Sequence, residues 1–223
     1  MDRSRVQEYL VNLTLILACA CLAVVGYRAI RPAAAAGSQK KKPVDIADWR
    51  SIADSGHFLG QRGARVVITE FVDYQCPGCA DVARPLADFQ AAHPEVVALS
   101  IRHYPLESIH PHALTAAVAA ACADEQDAFA AYHYALYATQ TLIPSAMWTT
   151  FASTALMSDT TAFIECMHAQ RPLARIRRDQ ALAEALDLPG TPSIMLNGRL
   201  YPLGTPVASI ITAATQMLEA GSR

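Results

Sequence analysis

Of the six cysteines in this 223-residue chain, Cys76 and Cys79 enclose only Pro77 and Gly78. Three chemistries suit such a pair. A zinc site would need a second close cysteine pair or a Cys/His pair, and the other cysteines beyond the N-terminal segment, Cys122 and Cys166, stand alone. A structural disulfide between Cys76 and Cys79 would close too small a loop to restrain the unfolded chain much, because that effect grows with loop length. A reactive dithiol fits the surroundings best. Upstream, "VVITEFV" is rich in strand formers, and downstream Val82, Leu86 and Phe89 recur with helical spacing. Cys76 therefore stands where a helix begins. The unpaired N–H groups and positive dipole end at such a place favour a thiolate and lower the thiol pKa. Pro77 suits the first helical turn, because it has no amide hydrogen to satisfy.

The elements that must hold this dithiol can be read around it. "DIADWRSIADS" makes a short amphipathic helix with Ile46, Trp49 and Ile52 on one face, and "ARVVITEFV" a strand buried on both faces. The helix from Pro77 is predicted to kink at Pro85. "EVVALSIRHY" is a second strand. From about Pro111 to Leu186 the pattern is helical, with breaks expected near Asp124, residues 143–145, Ser158 and residues 171–172. "PSIML" resumes strand character, Asn197-Gly198 is a two-residue hairpin turn, "RLYPL" returns, and "VASIITAATQMLEA" closes as an amphipathic helix. The order is β-α-β, a helical block, then β-β-α.

A formal net charge of -2 and no long single-sign tail argue against nucleic acid as a partner. The hydrophobic fraction of 52% is raised by alanine and by Leu10 to Gly26, "LVNLTLILACACLAVVG". As a helix this run reaches roughly 26 Å, close to the hydrocarbon thickness of a bilayer. Residues 1–31 are read as a membrane anchor or uncleaved signal. Cleavage near "AAAAG" and lipid attachment at Cys19 are weaker fits, because Arg28 and Arg31 charge the exit region and the apolar run continues past Cys21. Arg28, Arg31 and Lys40 to Lys42 outnumber Arg3 and Arg5, which by the positive-inside tendency would keep the main domain cytoplasmic. Residues 32–45, "PAAAAGSQKKKPVD", read as a flexible tether, and 46–223 as the folded domain.

"VVITEFVDYQCPGCA", "RHYPLESIHPHALTAAVAAACADEQDAFAAYHYALY" and "GTPSIMLNG" together resemble the DsbA-type family of thiol:disulfide oxidoreductases. The resemblance covers nearly everything after the tether. It implies an α/β thioredoxin-like fold with a helical insertion at about 108–186. It implies that Cys76 is the nucleophile that forms a mixed disulfide with substrate, and that Cys79 is the buried partner that resolves it. Pro192 matches the family's cis-proline, and Thr191 before it would offer backbone groups to an extended substrate. Glu70 matches an acidic residue buried beneath the dithiol that moves protons to or from Cys79. Pro77 and Gly78 would border the substrate. Strongly oxidising members often carry histidine between the cysteines; Gly78 adds no charge, so a moderate potential is expected. Cys122 and Cys166 match positions that form a second disulfide in some members, whose alternative is two buried free thiols.

The other candidates have plainer readings. His103, His110 and His112 are expected as polar loop residues. Arg171, Arg175, Arg177 and Arg178 read as a solvated helix face. Phe129, Tyr132, Tyr134, Tyr137 and Trp148 should pack the helical block, some of them rimming a substrate groove. The expected function is a membrane-tethered disulfide oxidase on the extracytoplasmic, periplasmic side, where the resembled family's usual setting outweighs the charge tendency, acting on cysteines of exported proteins and reset by an integral membrane redox partner. No metal or cofactor beyond the dithiol is expected. The alternatives are a reductase or isomerase of the same fold, or a non-catalytic metal- or thiol-binding chaperone.

Overall fold

The computed structural model describes residues 42–145 and 147–221. The anchor reading of 1–31 and most of the 32–45 tether lie outside the described residues. Among the described residues, no helix is long and apolar enough to cross a membrane. Val44 and Asp45, read as the end of the tether, instead form the first strand.

Six strands make one sheet: β1 (Val44–Asp45), β2 (His57–Leu59), β3 (Val66–Val72), β4 (Val97–His103), β5 (Ser193–Leu196) and β6 (Arg199–Leu200). Their order across the sheet is β1-β6-β5-β3-β4-β2. β3 and β4 are parallel, while β5 runs antiparallel to β3. Every residue of β3 and β4 is buried, as expected of central strands covered on both faces. β2, between Gly56 and Gly60, has no strand signal in the sequence. At three residues it is too short to show a period, and pairing with β4 makes it a strand. "RLYPL" stays a strand only through Leu200, since Pro202 cannot donate to a ladder.

The period-2 alternation of β3 decides which side chains meet the dithiol. Val66, Ile68 and Val72 face α2 (Pro77–Ala92), which buries Cys79, Val82, Leu86 and Phe89, and α8 (Val207–Ala220), which buries Ile210, Ala214 and Leu218. Val67 and Phe71 point the other way. There they meet apolar residues of α1 (Trp49–Asp54) and α7 (Leu173–Ala185). Glu70 falls in phase with Ile68 and Val72, so β3 carries a carboxyl into the core beneath α2. The helix α2 runs through Pro85 without a break.

Between β4 and β5 lie α3 (Ala113–Ala123), α4 (Phe129–Ala138), α5 (Trp148–Thr154), α6 (Thr160–Ala169) and α7, and the breaks read from the sequence fall between them. α3 is mostly alanine and buried from Ala116 to Ala123. A disulfide joins its Cys122 to Cys166 of α6, with Cα atoms 5.8 Å apart. Beyond β5, Asn197 and Gly198 both take positive φ, 44° and 86°, as a tight hairpin turn requires. An added Cβ on Gly198 would lie 2.4 Å from Trp49 Cδ1, so only glycine fits.

Candidate active site

Cys76 caps the N-terminus of α2 in an extended conformation, with Pro77 opening the helix. Its carbonyl accepts from Cys79 N at 3.1 Å and Ala80 N at 3.4 Å. Cys76 is 9% exposed, Cys79 is fully buried one turn on, and both are free thiols. The Thr191–Pro192 peptide is cis and faces the pair. As a thiol, Cys76 donates to Thr191 O at 3.2 Å. As a thiolate it accepts from the Cys79 thiol and from the backbone N–H groups of Cys79 and Gly78, and these hold its pKa down at about 5 against an ordinary 9. Gly78 offers no side chain, yet the expected thiolate stabilisation is supplied by Cys79 and the helix terminus. A Cβ on Gly78 would approach Pro192 Cδ to 3.1 Å, so glycine lets the proline lie close.

The second sulfur is biased the opposite way. Burial first, then the charge it would share with Cys76 and Glu70, pushes the Cys79 thiol well up. Glu70 lies 2% exposed beneath it, and its Oε1 has no protein partner. Burial and the charge at Cys76 raise its carboxyl to about 8. The site thus contains a thiolate at its surface and a thiol with a proton-exchanging carboxyl below.

The loop from β3 to α2 is clamped by residues that carry no signal in the sequence. The Asp73 carboxylate accepts from Gln75 N at 2.7 Å, Leu106 N at 2.8 Å and His110 Nδ1 at 2.8 Å. Gln75 Oε1 accepts from His112 N. Gln140, from the insertion, donates through Nε2 to Tyr74 O and Cys76 O, both at 2.9 Å. Only Asp73, adjacent to the motif, could have been suspected; Gln140 and its partners are more than sixty residues apart.

The reading of His103 needs correction. His103 is not a loop residue but the fully buried end of β4, and His110 is paired with the buried Asp73. The burial follows from β4 being covered by the insertion, which a short sequence window cannot register. Among the described residues no group of three or more His, Cys, Asp or Glu is arranged to hold a metal ion.

Beside Pro192 an open groove of about 530 Å³ runs between the cis-proline loop and α8, lined by Gly78, Val82, Ile194, Tyr201, Leu203 and Ile210 among others. Tyr134 and Tyr137 do not reach it. They line a separate hollow of about 550 Å³ between α2 and α4.

The thioredoxin family model matches residues 53–209, which include the dithiol, the insertion and Pro192. The chain is 34% identical over 148 residues to the Na(+)/H(+) antiporter NhaA 3 of Salinispora tropica, covering 66% of this chain and 22% of that protein. The chain spans about a quarter of the length of the curated relatives it matches. A thioredoxin-like oxidoreductase from Silicibacter pomeroyi superposes with a TM-score of 0.61 at 27% identity, over 74% of this chain and 93% of that one. Alpha-DsbA2 from Wolbachia pipientis superposes with a TM-score of 0.63 at 15% identity, over 75% and 90%. The chain therefore belongs to the thioredoxin family and carries the DsbA-type form of its fold.

Proposed function

We propose that this protein is a thiol:disulfide oxidoreductase that acts as an oxidase. The observation that carries this reading is the placement of Cys76: at the N-terminus of α2 and against the cis Thr191–Pro192 peptide, whose two residues, with Gly78, also line an apolar groove. In the forward step a substrate thiolate attacks the Cys76–Cys79 disulfide at Cys76, forming a mixed disulfide and freeing Cys79. A second substrate thiolate then attacks its own mixed-disulfide sulfur, leaving substrate oxidised and Cys76 reduced as a thiolate. A thiolate stabilised to about 5 is a good leaving group, and it lowers the energy of the reduced form, which makes the dithiol the stronger electron acceptor. Thr191 O and its neighbouring backbone are positioned to pair with an extended substrate strand, while the groove takes an apolar side chain beside the cysteine.

The setting proposed is extracytoplasmic, with residues 1–31 as the anchor. The buried Cys122–Cys166 disulfide supports an oxidising compartment. Cysteines of exported proteins are the proposed substrates, and a membrane redox partner would reoxidise the pair. Antiport is said of the curated relatives by name; the reading here rests on the dithiol. Equilibration of the full chain with glutathione buffers tests it. A potential above about -200 mV is expected, whereas one near about -270 mV would mark a reductase.

A further inference from the structure

Away from the sulfurs, on the same face of the sheet, lies a group of buried polar side chains that the exchange reaction does not use. His57 of β2 and Glu70 of β3 both pair with Ile101 of β4, so they flank it on one face, about 10 Å apart. His103, two residues along β4, pairs with Val72 and shares that face. The rings of His57 and His103 stand edge to face at 5.0 Å, and Tyr74 lies 6.0 Å from His103. Tyr74 shares a hydrogen bond with His133 Nδ1 of α4 at 3.0 Å, and Tyr137 packs 5.1 Å from Tyr74.

Buried polar atoms are nearly always partnered, and the exceptions call for an explanation such as internal water. Among the described residues, eight buried side-chain nitrogen or oxygen atoms have no protein partner; four of them are in this group, His57 Nε2, both ring nitrogens of His103 and Tyr137 Oη, and a fifth is Oε1 of Glu70 of the active site. At the far end, His57 donates from Nδ1 to Asp124 Oδ2 at 2.9 Å, which leaves its Nε2 lone pair facing inward. The Asp124 side chain is 44% exposed.

We propose that His57, His103, His133, Tyr74 and Tyr137 line an internal file of water molecules that carries protons between Glu70, beneath the dithiol, and solvent at Asp124. The inference rests on the exchange reading above. When Cys79 attacks the mixed disulfide on Cys76, a Cys76–Cys79 bond forms, the substrate leaves as a thiolate, and the Cys79 proton passes to the Glu70 carboxylate. Glu70 is almost wholly enclosed, so that proton needs a way out. Burial keeps His57, His103 and His133 neutral, so they orient water and do not store charge. Arg175 of α7, beside Asp124 at the far end, opposes protonation of these rings, as does Arg102, which lies on the opposite face of β4 paired with Asp179; Asp124 partly offsets them at His57. The histidines touch neither substrate nor sulfur and are positioning residues.

The test is a single turnover of the reduced full chain, carrying Cys19→Ser and Cys21→Ser, with 5,5′-dithiobis(2-nitrobenzoate). Attack by Cys76 releases the first thionitrobenzoate and attack by Cys79 the second. His103→Leu is expected to leave the first phase unchanged and slow the second roughly tenfold at neutral pH, within the range of proton-transfer contributions. His103→Gln keeps hydrogen-bonding atoms in a similar volume and should restore it to within about threefold. A second phase at the wild-type rate in His103→Leu, or equal slowing by both variants, overturns the proposal. If His103→Leu does not fold, His57→Leu against His57→Gln makes the same comparison. Absence of both phases in the protein without these His variants would sink the exchange reading itself.

Discussion

Cys76 and Cys79 lie within the first turn of one helix, whereas Cys122 and Cys166 lie 44 residues apart on two helices of the insertion. The first pair has donors aimed at one sulfur, a proton acceptor under the other, and a nucleophile, Cys76, that keeps some exposure to solvent. The second pair is fully buried among alanines, and an incoming thiolate has no path to it. Position relative to a helix terminus and to solvent therefore separates a disulfide that works from one that holds.

The comparison breaks most sharply at the nucleophile. Cys76→Ser should abolish disulfide exchange with a peptide dithiol while leaving the melting temperature of the fold nearly unchanged. The converse is expected of Cys122→Ala/Cys166→Ala. Opening a loop of this length removes about 4 kcal/mol in the chain-entropy model, equivalent to a fall in melting temperature of about 8–16 °C for a domain of this size. Exchange kinetics below the transition should stay within about threefold. If the double variant lost exchange while folded, the insertion's disulfide would be part of the chemistry.

A smaller effect sharpens the electrostatic half of the contrast. Alkylation of Cys76 by iodoacetamide should reach half its maximal rate near pH 5 and be flat above about pH 7, so that pH 4 slows it about tenfold. The folded pKa of this acid lies below its ordinary value, so the reduced form gains stability that is full above the unfolded thiol's pKa and lost as pH falls through 5. A half-rate nearer pH 9 would remove the thiolate argument for an oxidase.

The dithiol, its strand, its helix and the Thr191-Pro192-strand-Asn197-Gly198 run were legible because each rests on near neighbours: a period, a cap, a turn. β2 was not, since His57–Leu59 becomes a strand only by pairing with β4. Gln140, and the Leu106 and His110 partners of Asp73, hold the active-site loop across 33 to 66 residues, and nothing in a local window marks those pairings. His103 reads as a loop residue because histidine is usually found at the surface; the helices laid over β4 decide otherwise. What remained hidden is what long-range packing makes.

The Cys76 sulfur and the Thr191 carbonyl that it meets are 115 residues apart, and the whole insertion lies between them along the chain. During synthesis, which proceeds from the N-terminus, the reactive pair emerges first, the two insertion cysteines next, and the proline that faces the dithiol last. Until Pro192 is made, the sulfur of Cys76 lacks the loop that later covers it. The order of residues thus withholds a finished active site until the whole insertion, with both of its cysteines, has been made.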